Sequence, residues 1–194
     1  YDIAVNAIID DQGSGVTLRF ELDGNLPKNK EIGVPFQVIA RRSYGEKEET
    51  GRVWNFAIRE REVLEYRWPL NQFADGLSHL EVHGPNGFYR EFKGNQPAGI
   101  IVKHQIANGS PHLSIACQSG NYNVRPRNYQ HAIPSKNLQP GQPVNIDLNT
   151  SHGWYDVEIT DDSDPSFYQR YAGHVETGKP SQTDPLMGGI AKST

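Results

Sequence analysis

The chain has 194 residues, 36% of them hydrophobic and 22% charged, and a formal net charge of −4. This is a globular composition without a long apolar run, which argues against disorder and against a membrane-spanning helix. Divided at Ala98/Gly99, the halves carry 12 basic and 15 acidic residues, then 7 and 8. Neither half has the basic footprint of a nucleic-acid binder or of a strong ligand for anionic lipid.

The elements follow in chain order. Ile3, Val5 and Ala7 alternate with polar residues, and so do Val16, Leu18, Phe20 and Leu22; each set predicts a strand with one face inward. Asp10-Asp11-Gln12-Gly13-Ser14-Gly15 between them is turn-rich. Residues 34–40, 52–58, 63–68, 77–83 and 88–92 continue the series, with Gly84-Pro85-Asn86-Gly87 as the turn before the last. Residues 59–64 have the charges of a solvated helix but no clear cap, so a turn or strand is preferred. About seven strands in a hundred residues is the count of an immunoglobulin-like sandwich.

The pattern then restarts, with strands predicted at 101–106, 113–117, 129–133, 144–148 and 154–160. Phe88-Tyr89-Arg90-Glu91-Phe92-Lys93-Gly94 matches Phe167-Tyr168-Gln169-Arg170-Tyr171-Ala172-Gly173, giving Phe-Tyr-x-x-aromatic-x-Gly twice. Upstream, the segment beginning Gly76-Leu77-Ser78 matches that beginning Gly153-Trp154-Tyr155, and the length difference falls in the connecting turn. The expectation is all-β: two tandem immunoglobulin-like antiparallel β-sandwich domains, residues 1–98 and 99–194. The strand-like start at Tyr1, without a leader pattern or a methionine, suggests a piece cut from a longer protein. The polar stretch from Gly173, ending in Met187-Gly188-Gly189-Ile190, suggests a frayed tail.

Catalytic apparatus is not evident. Gly76-Leu77-Ser78-His79-Leu80 lacks the second glycine of a nucleophile elbow, and Ser78 is expected to face solvent on a strand. The seven histidines, at 79, 83, 104, 112, 131, 152 and 174, form no H-E-x-x-H pair. His79 and His83 are four apart, a spacing that a strand does not turn into a zinc site. No glycine-rich loop precedes a helix, which leaves nucleotide binding unsupported. The single cysteine, Cys117, lies in the alternation Leu113, Ile115, Cys117 and reads as a small buried hydrophobe. Asp161, Asp162 and Asp164 in one inter-strand loop are the candidate metal ligands, offering hard oxygens to calcium. The plainer reading is an acidic turn whose carboxylates cap local amides, with no cofactor.

In the repeated motif, Phe88 and Arg90 should face one side of a strand, and Tyr89 and Glu91 the other. Tyr89, Arg90, Tyr168 and Arg170 are the candidate contacts for a membrane or ligand, since an exposed aromatic can enter a lipid interface or stack on a sugar. Core packing with a surface tyrosine is the competing reading. Trp54, Trp68 and Trp154 are read as core. Arg41-Arg42 and Arg125-x-Arg127 are read as solvated surface, though each could receive a phosphate.

Gly84-Pro85-Asn86-Gly87-Phe88-Tyr89-Arg90-Glu91-Phe92-Lys93-Gly94 resembles the GPNGF-x-R-x-F-x-G signature of the C-terminal domain of bacterial phosphocholine-specific phospholipase C. Gly173-His174-Val175-Glu176-Thr177-Gly178-Lys179-Pro180-Ser181, followed by Asp184-Pro185, is similar to the ending of those enzymes. The departures are Tyr89 and Tyr168 for leucine, and Gln169 and Lys179 for arginine. The resemblance implies a catalytic domain preceding these modules, acting on phosphatidylcholine or sphingomyelin to release phosphocholine. It also implies export, as a secreted or periplasmic enzyme. No catalytic residue of that family falls in this chain. The partners implied are the catalytic domain of the same chain and a phospholipid membrane, with no nucleic acid. Two roles follow, membrane or substrate engagement and a structural scaffold for the catalytic domain; tandem β-sandwiches with tryptophans offer a third, carbohydrate binding, from which the ending points away.

Overall fold

The computed structural model describes residues 2–23, 33–130, 133–184 and 186. His131, Pro185 and the Met187-Gly188-Gly189-Ile190 stretch lie outside them. In chain order the strands are β1 (Asp2–Ile9), β2 (Gly15–Asp23), β3 (Gly33–Ala40), β4 (Val53–Arg59), β5 (Val63–Pro69), β6 (Ser78–His83) and β7 (Tyr89–Gly94). They continue as β8 (Ile101–Ala107), β9 (Ser110–Ala116), β10 (Tyr122–Pro126), β11 (Lys136–Leu138), β12 (Val144–Asp147), β13 (Trp154–Thr160) and β14 (Tyr168–His174). Two short 3-10 turns, Leu70–Gln72 and Ala74–Gly76, are the helical content among the described residues.

The fold is an all-β antiparallel sandwich, as expected. A central eight-stranded sheet runs β11-β10-β13-β14-β7-β6-β3-β4, and two three-stranded sheets, β1-β2-β5 and β12-β9-β8, complete the layers. The strand alternation decides which side chains meet. Leu18, Phe20 and Trp68 of the β1-β2-β5 sheet and Val34, Phe36, Leu80 and Val82 of the central sheet are all buried in the core. The Phe20 and Phe36 rings pack at 5.2 Å. In the second half Leu113, Ile115 and Ile146 are buried along with Val124, Val157 and Ile159. Each such side chain contributes roughly 1.5–3 kcal/mol on full burial.

The halves meet along β7 and β14, whose register pairs Lys93 with Tyr168, Glu91 with Arg170, Arg90 with Tyr171 and Tyr89 with Ala172. The two Phe-Tyr-x-x-aromatic-x-Gly segments therefore lie side by side. The closing glycine of each has a positive φ, +142° at Gly94 and +156° at Gly173, which explains why glycine ends both. The turns before them are alike: the Phe88 N–H donates to the Pro85 carbonyl and the Phe167 N–H to the Asp164 carbonyl, each at 3.0 Å. Asn86 and Gly87 both have positive φ, as a tight hairpin turn requires.

Some local expectations need correction. Of the strand expected at 129–133, residues 131 and 132 lie outside the described residues, and Tyr129, Gln130 and Ile133 are not in a strand. Tyr129 has φ +58°, and its carbonyl accepts the Ile133 N–H at 3.0 Å, which makes a turn. Tyr129 and Ile133 are nonetheless buried, so apolar character at that spacing marks core contact rather than a strand. The strands lie on either side of it, at β10 and β11. By contrast, the turn preferred over a helix near residues 59–64 is present: residues 60–62 connect β4 and β5, with Arg61 at φ +64°. Ser78 is not solvent-facing: it is 1% exposed, and its hydroxyl donates to the Gly94 carbonyl at 2.6 Å, joining the ends of β6 and β7.

Candidate functional site

The side chains of β6, β7, β14 and β13 that point away from the core form a continuous polar face on the central sheet. His79, Glu81 and His83 project from β6, Tyr89, Glu91 and Lys93 from β7, Tyr168 and Arg170 from β14, and Asp156 and Glu158 from β13. The register sets Glu81 opposite Glu91, Glu91 opposite Arg170 and Arg170 opposite Glu158.

The contacts across this face are specific. The Arg170 guanidinium donates to both carboxylate oxygens of Asp156, at 2.8 and 2.7 Å. Asp156 is 3% exposed and also accepts from the Asn128 amide. The Arg170 guanidinium lies 5.1 Å from the centroid of the Tyr89 ring, a cation–π contact between the halves. The Tyr89 hydroxyl donates to Glu91 Oε2 at 2.9 Å, and burial pushes this phenol well above its ordinary range, which keeps the proton on it. His79 Nε2 sits 2.8 Å from Glu91 Oε1, and the bond from His79 holds the Glu91 carboxyl below its usual range. Glu81 is held by Arg41 at 2.7 Å and lies 3.4 Å from His83. Tyr168 meets Arg127 at 3.4 Å and Glu158 at 3.5 Å.

Of the candidate contact residues, Tyr89, Tyr168 and Arg170 share this face, half-buried and bonded to their neighbours. Arg90 does not. It is 1% exposed and points into the core. Its Nη1 donates to the Tyr89 and Ala172 carbonyls and its Nη2 to the Tyr155 hydroxyl, all at 2.8 Å. The guanidinium stacks 4.0 Å from the Phe88 centroid. A cation so enclosed bridges the two halves and does not reach a surface ligand.

The loop carboxylates serve their own turn. Asp161 Oδ1 accepts from the amide and hydroxyl of Ser163, and Asp164 Oδ1 does the same for Ser166. Those Ser163 bonds hold the Asp161 carboxyl below its usual range. Among the described residues, the carboxylates of Asp161, Asp162 and Asp164 do not converge on one point; the set that does is His79, Glu81 and Glu91. Sequence reasoning missed this set and Asp156. The signal was the alternation His-x-Glu on β6 and Tyr-x-Glu on β7, joined by a turn that fixes their register.

The family model described as "Bacterial phospholipase C, C-terminal domain" matches residues 1–95 and 104–174. The chain belongs to this family. It is 32% identical over 201 residues to the non-hemolytic phospholipase C of Burkholderia pseudomallei, covering 96% of this chain and 27% of that protein. It is 36% identical over 134 residues to the hemolytic phospholipase C of Pseudomonas aeruginosa, covering 59% of this chain and 18% of that protein. It is also 31% identical over 137 residues to a non-hemolytic phospholipase C of the same organism. The chain thus spans about a quarter or less of the length of the curated relatives it matches.

In this phospholipase C C-terminal chain, the ending that carries the resemblance lines an open cleft of about 270 Å³ beside β14. There His174 Nε2 lies 3.0 Å from the Ser181 hydroxyl, and His174 Nδ1 lies 3.4 Å from Glu176. The order Ser-His-Glu invites a nucleophile reading, but Nε2 also faces the His152 carbonyl at 3.1 Å. Nε2 is thus shared between the Ser181 hydroxyl and a carbonyl while Nδ1 faces a carboxylate, so the ring is held on both sides rather than aimed at Ser181 alone. The cluster pins the ending against β14, as does the Trp154 indole donating to the Gln182 carbonyl at 3.0 Å. Trp68 is fully core, while Trp54 and Trp154 pack on its margin. Cys117 is buried, and burial pushes its thiol up, away from the reactive thiolate.

Proposed function

We propose that this chain is a non-catalytic accessory part of an exported bacterial phospholipase C, joined to a catalytic part that hydrolyses phosphatidylcholine or sphingomyelin to release phosphocholine. The observation that carries the reading is the alignment itself: 96% of the chain falls on 27% of a phospholipase C, within the family of its C-terminal domain. Residues 1–98 and 99–194 act in this reading as two tandem immunoglobulin-like repeats. In support, β1-β2-β5 with β4-β3-β6-β7 and β8-β9-β12 with β11-β10-β13-β14 use the same strand order.

Two modes of action separate on one observation. Membrane engagement through Tyr89 and Tyr168 needs side chains free to enter lipid. Both are half-buried and hydrogen-bonded within the sheet, which favours the scaffold mode, in which the modules pack on the catalytic part and stabilise it. The test compares the parent enzyme with and without this segment on a soluble phosphocholine ester and on phosphatidylcholine vesicles. The scaffold mode predicts loss of activity on both substrates, together with a lower melting temperature. Activity lost on vesicles alone would overturn it in favour of engagement. Unchanged activity and stability would remove both.

A further inference from the structure

We propose that His79, Glu81 and Glu91 form a binding site for one divalent transition-metal ion of the zinc class. Glu81 and Glu91 stand directly opposite each other on β6 and β7. Like charges so placed destabilise a sheet. At the matching position of the second half the pair is Glu158 and Arg170, an opposite-charge pair. The first half thus keeps two carboxylates where the same strands elsewhere use a carboxylate and a guanidinium, and it sets a histidine beside them.

The three side chains converge. One imidazole nitrogen and one oxygen from each carboxylate all lie within 4.8 Å of one another, the separation from which ligands close around an ion. Their backbones belong to adjacent, fully paired strands, so the donors are largely pre-positioned. Glu81 is 7% exposed, and the His79 and Glu91 side chains are 23% and 16% exposed, so the site is shielded without being sealed. Two carboxylates and a neutral imidazole present two negative charges to a dication. The other charged groups facing them are Arg41 and His83 on Glu81, Lys93 opposite His79, and Arg170 beside Glu91. Arg41 on Glu81 and the Tyr89 hydroxyl on Glu91 are placed as outer-shell partners that orient the carboxylates. The ion would replace the His79–Glu91 hydrogen bond.

The donor set selects the metal class. Calcium and magnesium prefer six or more oxygens, while an imidazole with carboxylates suits zinc and its neighbours. Three protein ligands leave a coordination position open towards solvent.

The test is calorimetric titration of the chelator-treated 194-residue chain with zinc, and with cobalt(II) as a visible probe, alongside magnesium and calcium. One equivalent of zinc or cobalt should bind, with the intense visible bands of a low-coordinate cobalt site. Binding should weaken at acid pH, where protons compete with the ion for its ligands. His79→Ala and Glu91→Gln should each weaken it beyond the roughly 10–100-fold that losing an outer-shell partner costs. His152→Ala should leave it unchanged. If a variant loses its circular-dichroism melt, the cobalt spectrum of the unmodified chain still decides: weak octahedral bands overturn the proposal. Absence of saturable binding, or binding that survives both substitutions, would mean an adventitious ion only and would also overturn it.

Discussion

Replacing Arg90 with methionine should be among the costliest single changes in the chain. Methionine keeps the length and the apolar stem, so the loss isolates the guanidinium. Three buried hydrogen bonds are then lost, to the Tyr89 and Ala172 carbonyls and to the Tyr155 hydroxyl, each now at 2.8 Å, although the Tyr155 hydroxyl keeps its contact with His104 Nε2 at 2.6 Å. A hydrogen bond to a charged group contributes about 1.5–3 kcal/mol. The stack on Phe88 adds to the loss. Relief of the cation's own desolvation works the other way, and the three lost bonds less that relief leave a net of about 3–5 kcal/mol. At about 2–4 °C per kcal/mol for a chain of this size, the melting temperature falls by roughly 6–20 °C. Urea unfolding and calorimetry on the isolated chain measure it directly, without lipid or substrate. Arg90→Lys, which keeps the charge but lacks the planar fork, should lose less. A methionine variant within about 1 kcal/mol of the parent would refute the clamp and reopen a surface role for Arg90.

Three further outcomes are expected. Asp156→Ala should cost about 2 kcal/mol in urea unfolding, because it strands the half-buried Arg170 guanidinium, with partial exposure reducing the full buried-pair loss. The Ser14 amide, with Arg67, holds the Asp10 carboxyl at about 2, and His79 holds Glu91 below its ordinary range. Folded-state values lie below unfolded ones, so both groups stabilise the fold above the usual carboxyl range, and that stability is lost as pH falls through the folded values. Melts between about pH 5 and 2 should therefore steepen, and Asp10→Asn should flatten the segment from about 4 to about 2. Calcium titration should leave the melting temperature unmoved, because Asp161 and Asp164 already cap their own turns; a rise abolished by Asp161→Asn would restore the loop as a ligand site.

Much of this architecture was legible because period-two alternation is a local property. Val34, Phe36 and Val38 had to share a face whatever lay opposite. The strand at Tyr122–Pro126 escaped because it is short, begins after Gly120 and ends in proline, whereas apolar Tyr129 and Ile133 reach the core from a turn. Burial of Arg90 was half legible: parity placed it beside Phe88, on the inward face. What the chain could not show locally was the second wall, Tyr155 and Tyr171, which makes a buried cation tolerable. The polar face was legible in principle. A three-residue turn, Pro85-Asn86-Gly87, closed by the Gly84 N–H on the Phe88 carbonyl, fixes Glu81 opposite Glu91 by counting outward. Arg170 and Asp156 enter only through the pairing of β7 with β14, a contact between residues about eighty apart.

That pairing explains why one motif occurs twice. Two strands that meet antiparallel, each as the last strand of its half, face the same packing problem from opposite directions. Each needs an aromatic under the turn, met by Phe88 and Phe167, and a second one inward, met by Phe92 and Tyr171, whose rings pack at 5.8 Å across the joint. Each also needs a tyrosine outward and a glycine where the backbone leaves the ladder. Between these shared positions the copies diverge in a complementary way. Arg90 in one faces Tyr171 in the other, and Glu91 in one faces Arg170 in the other. Divergence at the inward and outward positions turns two similar edges into one specific joint, which buries a charge on its inner side and lines up alternating charges on its outer side. The repeated segment is therefore best understood as the seam between the halves, and its tyrosines as part of that seam before they are anything else.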